Sequence, residues 1–126
     1  AREVYGIEII DDAVGDARNN AGINGITNCE FISGKSEEIV PELSAKGIKP
    51  DAVIVDPPRK GLAGSLVSML LEMKPERIVY VSCLPKSLAR DLKALSAEYR
   101  AGKISCFDMF PDTVHVETVV LLSREK

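Results

Sequence analysis

The sequence predicts an α/β fold: a mostly parallel sheet with helices on both faces and an antiparallel C-terminal edge. Apolar strand candidates that do not alternate with polar residues take turns with helix candidates, the pattern of parallel strands buried on both sides. Polar, proline or glycine turns follow the strands. The last two strand candidates succeed one another across a short turn, as in a hairpin.

Taken in order, "REVYGIEII" (Arg2 to Ile10) reads as a strand ending near Glu8, and "DDAVGDARNNAGING" (Asp11 to Gly25) as a helix stopped by its terminal glycines. "NCEFISG" (Asn28 to Gly34) is a short strand, and Ser36 to Leu43 has helical spacing. "DAVIVDPPRKG" (Asp51 to Gly61) is a strand running into a proline turn. Ser65 to Met73 reads as a helix, Arg77 to Cys83 as a strand, and Lys86 to Tyr99 as a helix. Ile104 to Phe110 and Val114 to Arg124 form the closing pair, joined by "PDT". With 126 residues, 45% of them hydrophobic, and no linker, repeat or low-complexity tract, residues 1–126 are expected to be one domain.

A net charge of -3 denies the chain a large basic footprint, so nucleic acid would have to be met by local cations. The lack of a long apolar run or a cleavable leader argues against a membrane span or secretion. Cys29, Cys83 and Cys106 are odd in number and widely spaced, which argues against a disulfide framework and favours a reducing cytoplasm.

Ligands of parallel sheets gather beyond the carboxyl ends of the strands. Glu8, Asp56 and Cys83 stand at such ends, and Glu117 stands inside the last strand candidate. Singly, each has a bland alternative: a cap, a turn residue, a small buried filler, or a structural ion pair. Asp56 is aimed by Pro57-Pro58, which stiffen the exit from the sheet, and Arg59 and Lys60 are cations suited to phosphate or to plain solvation. Cys83 precedes Ser87, a candidate helix N-cap, and a helix N-terminus favours thiolate and hence a nucleophile. Cys29 and Cys106 fall in apolar strand patterns and read as core. His115 and Glu117 are two apart and share a strand face. An acid in "VHVETVVLL" is costly to bury unless paired, or retained as an acid or base. His115 fits hydrogen-bonding support, packing or chemistry. A metal held by His115, Glu117, Asp56 and Cys83 lacks any familiar spacing.

"VDPPRKGL", "VYVSCLPKSLARDL" and "DMFPDTVHVETVVLLSR" together resemble the C-terminal signatures of the S-adenosylmethionine-dependent RNA uracil-5-methyltransferases, which make 5-methyluridine in tRNA or rRNA. The resemblance spans almost the whole chain. It implies a Rossmann-like class I methyltransferase sheet that lacks its first strand and glycine-rich loop, the cofactor S-adenosyl-L-methionine, and an RNA substrate. Cys83 matches the nucleophile that attacks carbon 6 of uracil, and Glu117 the base that removes the carbon 5 proton. Asp56 matches the acid at the catalytic strand end, set to hold the uracil edge or position the reacting groups, and is also counted as a cofactor contact. Glu8 matches the acceptor of the cofactor's ribose hydroxyls, with Ile9 near the adenine and Ser36 close to it. Arg59, Lys60 and His115 are the candidate substrate contacts. Leu84 stands where the family usually has asparagine.

The family's first strand is interior to its sheet. The resemblance therefore implies that the chain closes the gap itself, borrows a strand from another copy in a homo-oligomer or, as preferred, is a C-terminal piece of a longer enzyme joined by the remaining N-terminal part, with little turnover alone. The competing expectation is a noncatalytic RNA-binding or protein-interaction fragment with the same fold.

Overall fold

The computed structural model describes residues 1–125. They form two compact units, Ala1–Ile48 and a second from Lys49 onward.

The first unit is a βαβα segment. Strand β1 (Val4–Glu8) leads to helix α1 (Asp11–Ile23), strand β2 (Cys29–Ser33) and helix α2 (Ser36–Ala45). The two strands pair in parallel from Val4 with Cys29 to Glu8 with Ser33. A Cβ on Gly6 would stand 2.7 Å from the Phe31 ring, so the glycine lets that ring lie flat across the neighbouring strand. Asp11 and Asp12 sit in the first turn of α1, where carboxylates complement the positive end of the helix. Val14 is the buried residue of α1 and Leu43 that of α2, so this unit has a thin core.

The second unit holds the larger core. Strand β3 (Ala52–Val55), helix α3 (Gly64–Met73), strand β4 (Arg77–Ser82), helix α4 (Pro85–Leu95), strand β5 (Tyr99–Phe107) and strand β6 (Glu117–Arg124) follow in order. The sheet order is β3-β4-β6-β5, with β3 parallel to β4 and β6 antiparallel to both neighbours. The last strand thus enters beside β4, and β5 becomes the edge. Among the described residues, β1 pairs only with β2 and β3 only with β4, leaving each with one unpaired edge.

Strand alternation sorts the core. In β4, Ile78, Tyr80 and Ser82 are buried, and the register sets them against Leu122, Val120 and Thr118 of β6. Leu62, Val67, Leu70, Leu88, Leu95 and Tyr99 close this layer. Each large apolar side chain buried here contributes about 1.5–3 kcal/mol. The Tyr99 hydroxyl donates to the Pro75 carbonyl at 2.9 Å, so the phenol enters the core without an orphaned polar atom. Burial raises the pKa of Tyr99 above its ordinary value of 10.0.

Three boundaries differ from the sequence reading. Helix α4 stops at Leu95, and Tyr99 already belongs to β5. Residues 108–116 form one connecting loop, with β5 ending at Phe107 and β6 beginning at Glu117, because Pro111 and the turn closed by Thr113 interrupt both ladders. Cys106 is exposed and Cys29 half-buried, so neither is a core residue: among the described residues both lie on strands with a neighbour on one side only, where less of the side chain is covered.

Candidate active site

The second unit brings three of the chemically capable residues to one end of its sheet. Asp56 is the first residue beyond β3, Cys83 the first beyond β4, and Glu117 the first residue of β6. Because β6 runs antiparallel to β4, the carboxyl end of one strand lies beside the amino end of the other. Ser82 pairs with Thr118 in the last rung, and one residue outward on each chain stand Cys83 and Glu117. Both are half-buried, whereas Asp56, Arg59 and Lys60 are exposed.

The turn that carries Cys83 is built by serines. The Ser82 hydroxyl accepts from the Leu84 amide and donates to the Leu84 carbonyl, both at 3.1 Å, which brackets Cys83 between two anchored neighbours. Ser87 is not the N-cap expected from the sequence. Leu84 holds that position in extended geometry, Pro85 opens the helix, and the Ser87 hydroxyl donates back to the Leu84 carbonyl at 3.0 Å. Proline at the first helical position lacks only an N–H that would have no partner inside the helix, so Pro85 can open α4 three residues before a cap at Ser87 would start it. Leu84, which lacks the family's amide side chain, is held through its backbone.

His115 lies before β6 and is half-buried; its amide donates to the Thr113 hydroxyl at 3.2 Å. The strand rule that set it on the face of Glu117 does not apply, because residues 114–116 are outside the ladder. The loop exposes Met109, Phe110 and Val114.

Glu8, Ile9 and Ser36 lie in the first unit. Glu8 ends β1 exposed, and its Oε1 accepts the Ile10 amide at 2.9 Å; α1 itself has no side-chain cap, so Glu8 does not cap the helix. Ile9 is 60% exposed, an apolar surface next to that acid. Ser36 opens α2, half-buried. An exposed carboxylate can accept from a ribose diol and an exposed aliphatic side chain beside it can pack on a purine ring, so the chemistry of Glu8 and Ile9 fits the adenosine part of the expected cofactor. Among the described residues, no group of three or more His, Cys, Asp and Glu is placed to hold a metal ion. No helix among them is long and apolar enough to cross a membrane.

Sequence reasoning passed over Asp91, a buried carboxylate on α4 that is 2% exposed. Its Oδ2 accepts from the Tyr80 hydroxyl at 2.6 Å and the Leu62 amide at 2.8 Å, and its Oδ1 accepts from Arg90 Nε at 2.8 Å. Burial, then the hydrogen bond to Asp91, pushes the Tyr80 hydroxyl pKa far above its ordinary value of 10.0. The signal was present: Leu88, Asp91 and Leu95 share one helical stripe, so an acid interrupts an apolar face. Arg90, whose side chain stays 59% exposed, also donates to the Lys60 carbonyl at 2.8 Å.

Comparisons with known proteins identify the family and the fold. The profile of the tRNA (uracil-5-)-methyltransferase family matches residues 1–125. An uncharacterized RNA methyltransferase of Enterococcus faecalis is 54% identical over 125 residues, covering 98% of this chain and 27% of that protein. One from Bacillus cereus is 48% identical over 125 residues, with the same 98% and 27% coverage. The crystal structure of Pyrococcus abyssi tRNA (uracil-54, C5)-methyltransferase in complex with S-adenosyl-L-homocysteine is similar with a TM-score of 0.80 and 41% identity, over 95% of this chain and 28% of that one. The chain therefore spans about a quarter of the length of the curated relatives it matches. The fold is that of a Rossmann-like methyltransferase: each unit contains a parallel strand pair, and the second adds the antiparallel strands β6 and β5.

Proposed function

We propose, from the premise that this chain belongs to the tRNA (uracil-5-)-methyltransferase family, that residues 1–126 are a partial catalytic domain of a longer cytoplasmic enzyme. That enzyme moves a methyl group from S-adenosyl-L-methionine to carbon 5 of a uridine in tRNA or rRNA. The observation that carries this reading is the antiparallel register that sets Cys83 and Glu117 one residue outward from the Ser82–Thr118 pair.

The chemistry needs a nucleophile and a base at one place. Cys83, as thiolate, adds its sulfur to carbon 6 of uracil; the ring becomes an enolate, and carbon 5 gains the nucleophilicity that the free base lacks. Bound S-adenosyl-L-methionine supplies an electrophilic methyl group for that carbon. Glu117 then takes the carbon 5 proton. The electron pair left behind restores the double bond between carbons 5 and 6 and expels the Cys83 sulfur. Asp56 holds the uracil edge or positions the reacting groups and contacts the cofactor. Glu8, Ile9 and Ser36 bind the adenosine portion. Arg59, Lys60 and His115 contact RNA. The three free cysteines suit a reducing compartment.

The test uses the full-length protein and RNA carrying 5-fluorouridine. Fluorine at carbon 5 cannot leave as a proton, so Glu117 cannot reset the adduct and the cysteine stays attached. A cofactor-dependent covalent complex that survives denaturation and is lost in Cys83→Ala is expected. RNA binding indifferent to Cys83→Ala, with no methyl transfer by the unsubstituted protein, would establish the noncatalytic alternative instead.

A further inference from the structure

Asp91 and Arg90 join the helix that follows Cys83 to the loop that follows Asp56. Helix α4 begins two residues after Cys83, and its Asp91 is the acceptor for the Leu62 amide at the far end of the "DPPRKGL" loop. Arg90 grips the same loop two residues back: its Nη2 donates to the Lys60 carbonyl at 2.8 Å and stands 2.7 Å from Asp91 Oδ1. Gly61 lies between these attachments with φ +81, and a Cβ there would stand 2.5 Å from both Arg90 Nη2 and Asp91 Oδ2. Both side chains thus press against the backbone of Gly61 at a distance that no side chain could share. The turn is closed on its other side by the Gly61 amide, which donates to the Pro58 carbonyl at 2.8 Å. Tyr80, from inside β4, fixes the carboxylate from below at 2.6 Å.

An aspartate that is 2% exposed carries a desolvation cost, and here its accepted bonds come from β4, the loop and its own helix. Packing alone would be served as well by leucine. We infer that Asp91 is a positioning residue, which with Arg90 fixes the loop carrying Asp56, Arg59 and Lys60 at a set distance from the Cys83 turn. This rests on the catalytic reading of those residues. The carboxylate touches no reacting atom; it acts through the loop.

The experiment compares the full-length protein with Asp91→Asn, Gly61→Ala and Val67→Ala, measuring the rate of adduct formation on 5-fluorouridine RNA, kcat and KM for unmodified RNA, and thermal melting. Asparagine cannot accept from all of its present donors, and alanine at Gly61 forces the loop off the clamp. Both are expected to slow adduct formation and kcat at least about tenfold, the scale set by small misplacements of reacting groups, with KM changed much less. Val67→Ala removes core packing on α3 and is expected to lower the melting temperature while leaving the adduct rate in place. Should the unsubstituted protein form the adduct and both clamp variants match its rate, the positioning role is overturned while the catalytic reading stands. A lack of adduct in the unsubstituted protein would overturn both. Loss of rate in Val67→Ala equal to that in the clamp variants would also overturn positioning, since general destabilisation would then explain all three.

Discussion

Two loops at the same end of the second unit carry candidate site residues, and they are held in opposite ways. The loop after β3 is tied down: Gly61 and Leu62 are buried, and the Leu62 amide, the Lys60 carbonyl and the Leu62 side chain all have partners in α4 or the core. The loop from 108 to 116 is held by short-range bonds, Thr113 to the Phe110 carbonyl and the His115 amide to Thr113. It leaves Val114 92% exposed. The difference teaches that the aspartate side of the site is preorganised by the core. The proposed base is the first residue of a strand, so Glu117 owes its position to the ladder with β4 and β5 and not to the loop before it.

The sharpest way to test that contrast is chemical. Glu117→Gln keeps the strand and removes the base, so methyl-transfer turnover is expected to fall about 10²–10⁴-fold while covalent RNA–protein complex accumulates on unmodified RNA. Gel analysis after denaturation reads both effects, and turnover within a fewfold of the parent would exclude Glu117 as the base.

Breaking the braced loop is next in size. Leu62→Ala empties a core position that is 7% exposed and is expected to cost about 2–5 kcal/mol in denaturant unfolding. A loss of only a few tenths would mean that the loop is not anchored through this side chain.

Thr118 sharpens the comparison from the strand side. Its hydroxyl is buried with no hydrogen-bond partner, beside Glu117 and opposite Ser82. Thr118→Val removes an unsatisfied polar atom at nearly constant shape and is expected to stabilise by about 1 kcal/mol. Destabilisation of that size would show that the hydroxyl has a partner in solution.

Alkali offers a reagent-free probe of the clamp. The buried Tyr80 hydroxyl keeps its proton to a higher pH in the folded protein than the ordinary 10.0 of the unfolded chain. The folded state then binds more protons above that pH, so this contribution to stability is present below pH 10.0 and declines as pH rises beyond it. Tyr80→Phe is expected to flatten that decline in unfolding curves taken across the alkaline range. An equally steep decline in the variant would assign it to other groups. The smallest effect belongs to the exposed loop: Val114→Ser should change stability by no more than about 0.5 kcal/mol, checked by the same unfolding curves.

Much of this was legible in the amino acids. Apolar runs feeding helices located the strands and crossovers, but not how deeply each face is covered: burial alternates along β4, and Ile54 of β3 is 74% exposed. The polar residues at strand exits marked Asp56 and Cys83 because a parallel sheet places its functional loops there. Legibility failed where the chain leaves its ladders. His115 was assigned a strand face although residues 114–116 are outside the strand, and Ser87 was assigned the cap that Leu84 occupies. Cys106 follows an apolar pattern but is exposed, since a sequence pattern cannot say whether a strand is interior or at an edge.

By itself, then, the sequence determined which residues could act and at which strand ends they stand, because period and turn chemistry are local. Tertiary structure decided which of them meet. Cys83 and Glu117 become neighbours only because β6 enters antiparallel beside β4, a pairing between segments far apart in the chain. The burial of Asp91 likewise became meaningful only when Tyr80, Leu62 and Arg90 were seen to converge on it. A buried charge is tolerated where its partners surround it, and those partners come from a strand, a loop and a helix that only the fold brings together.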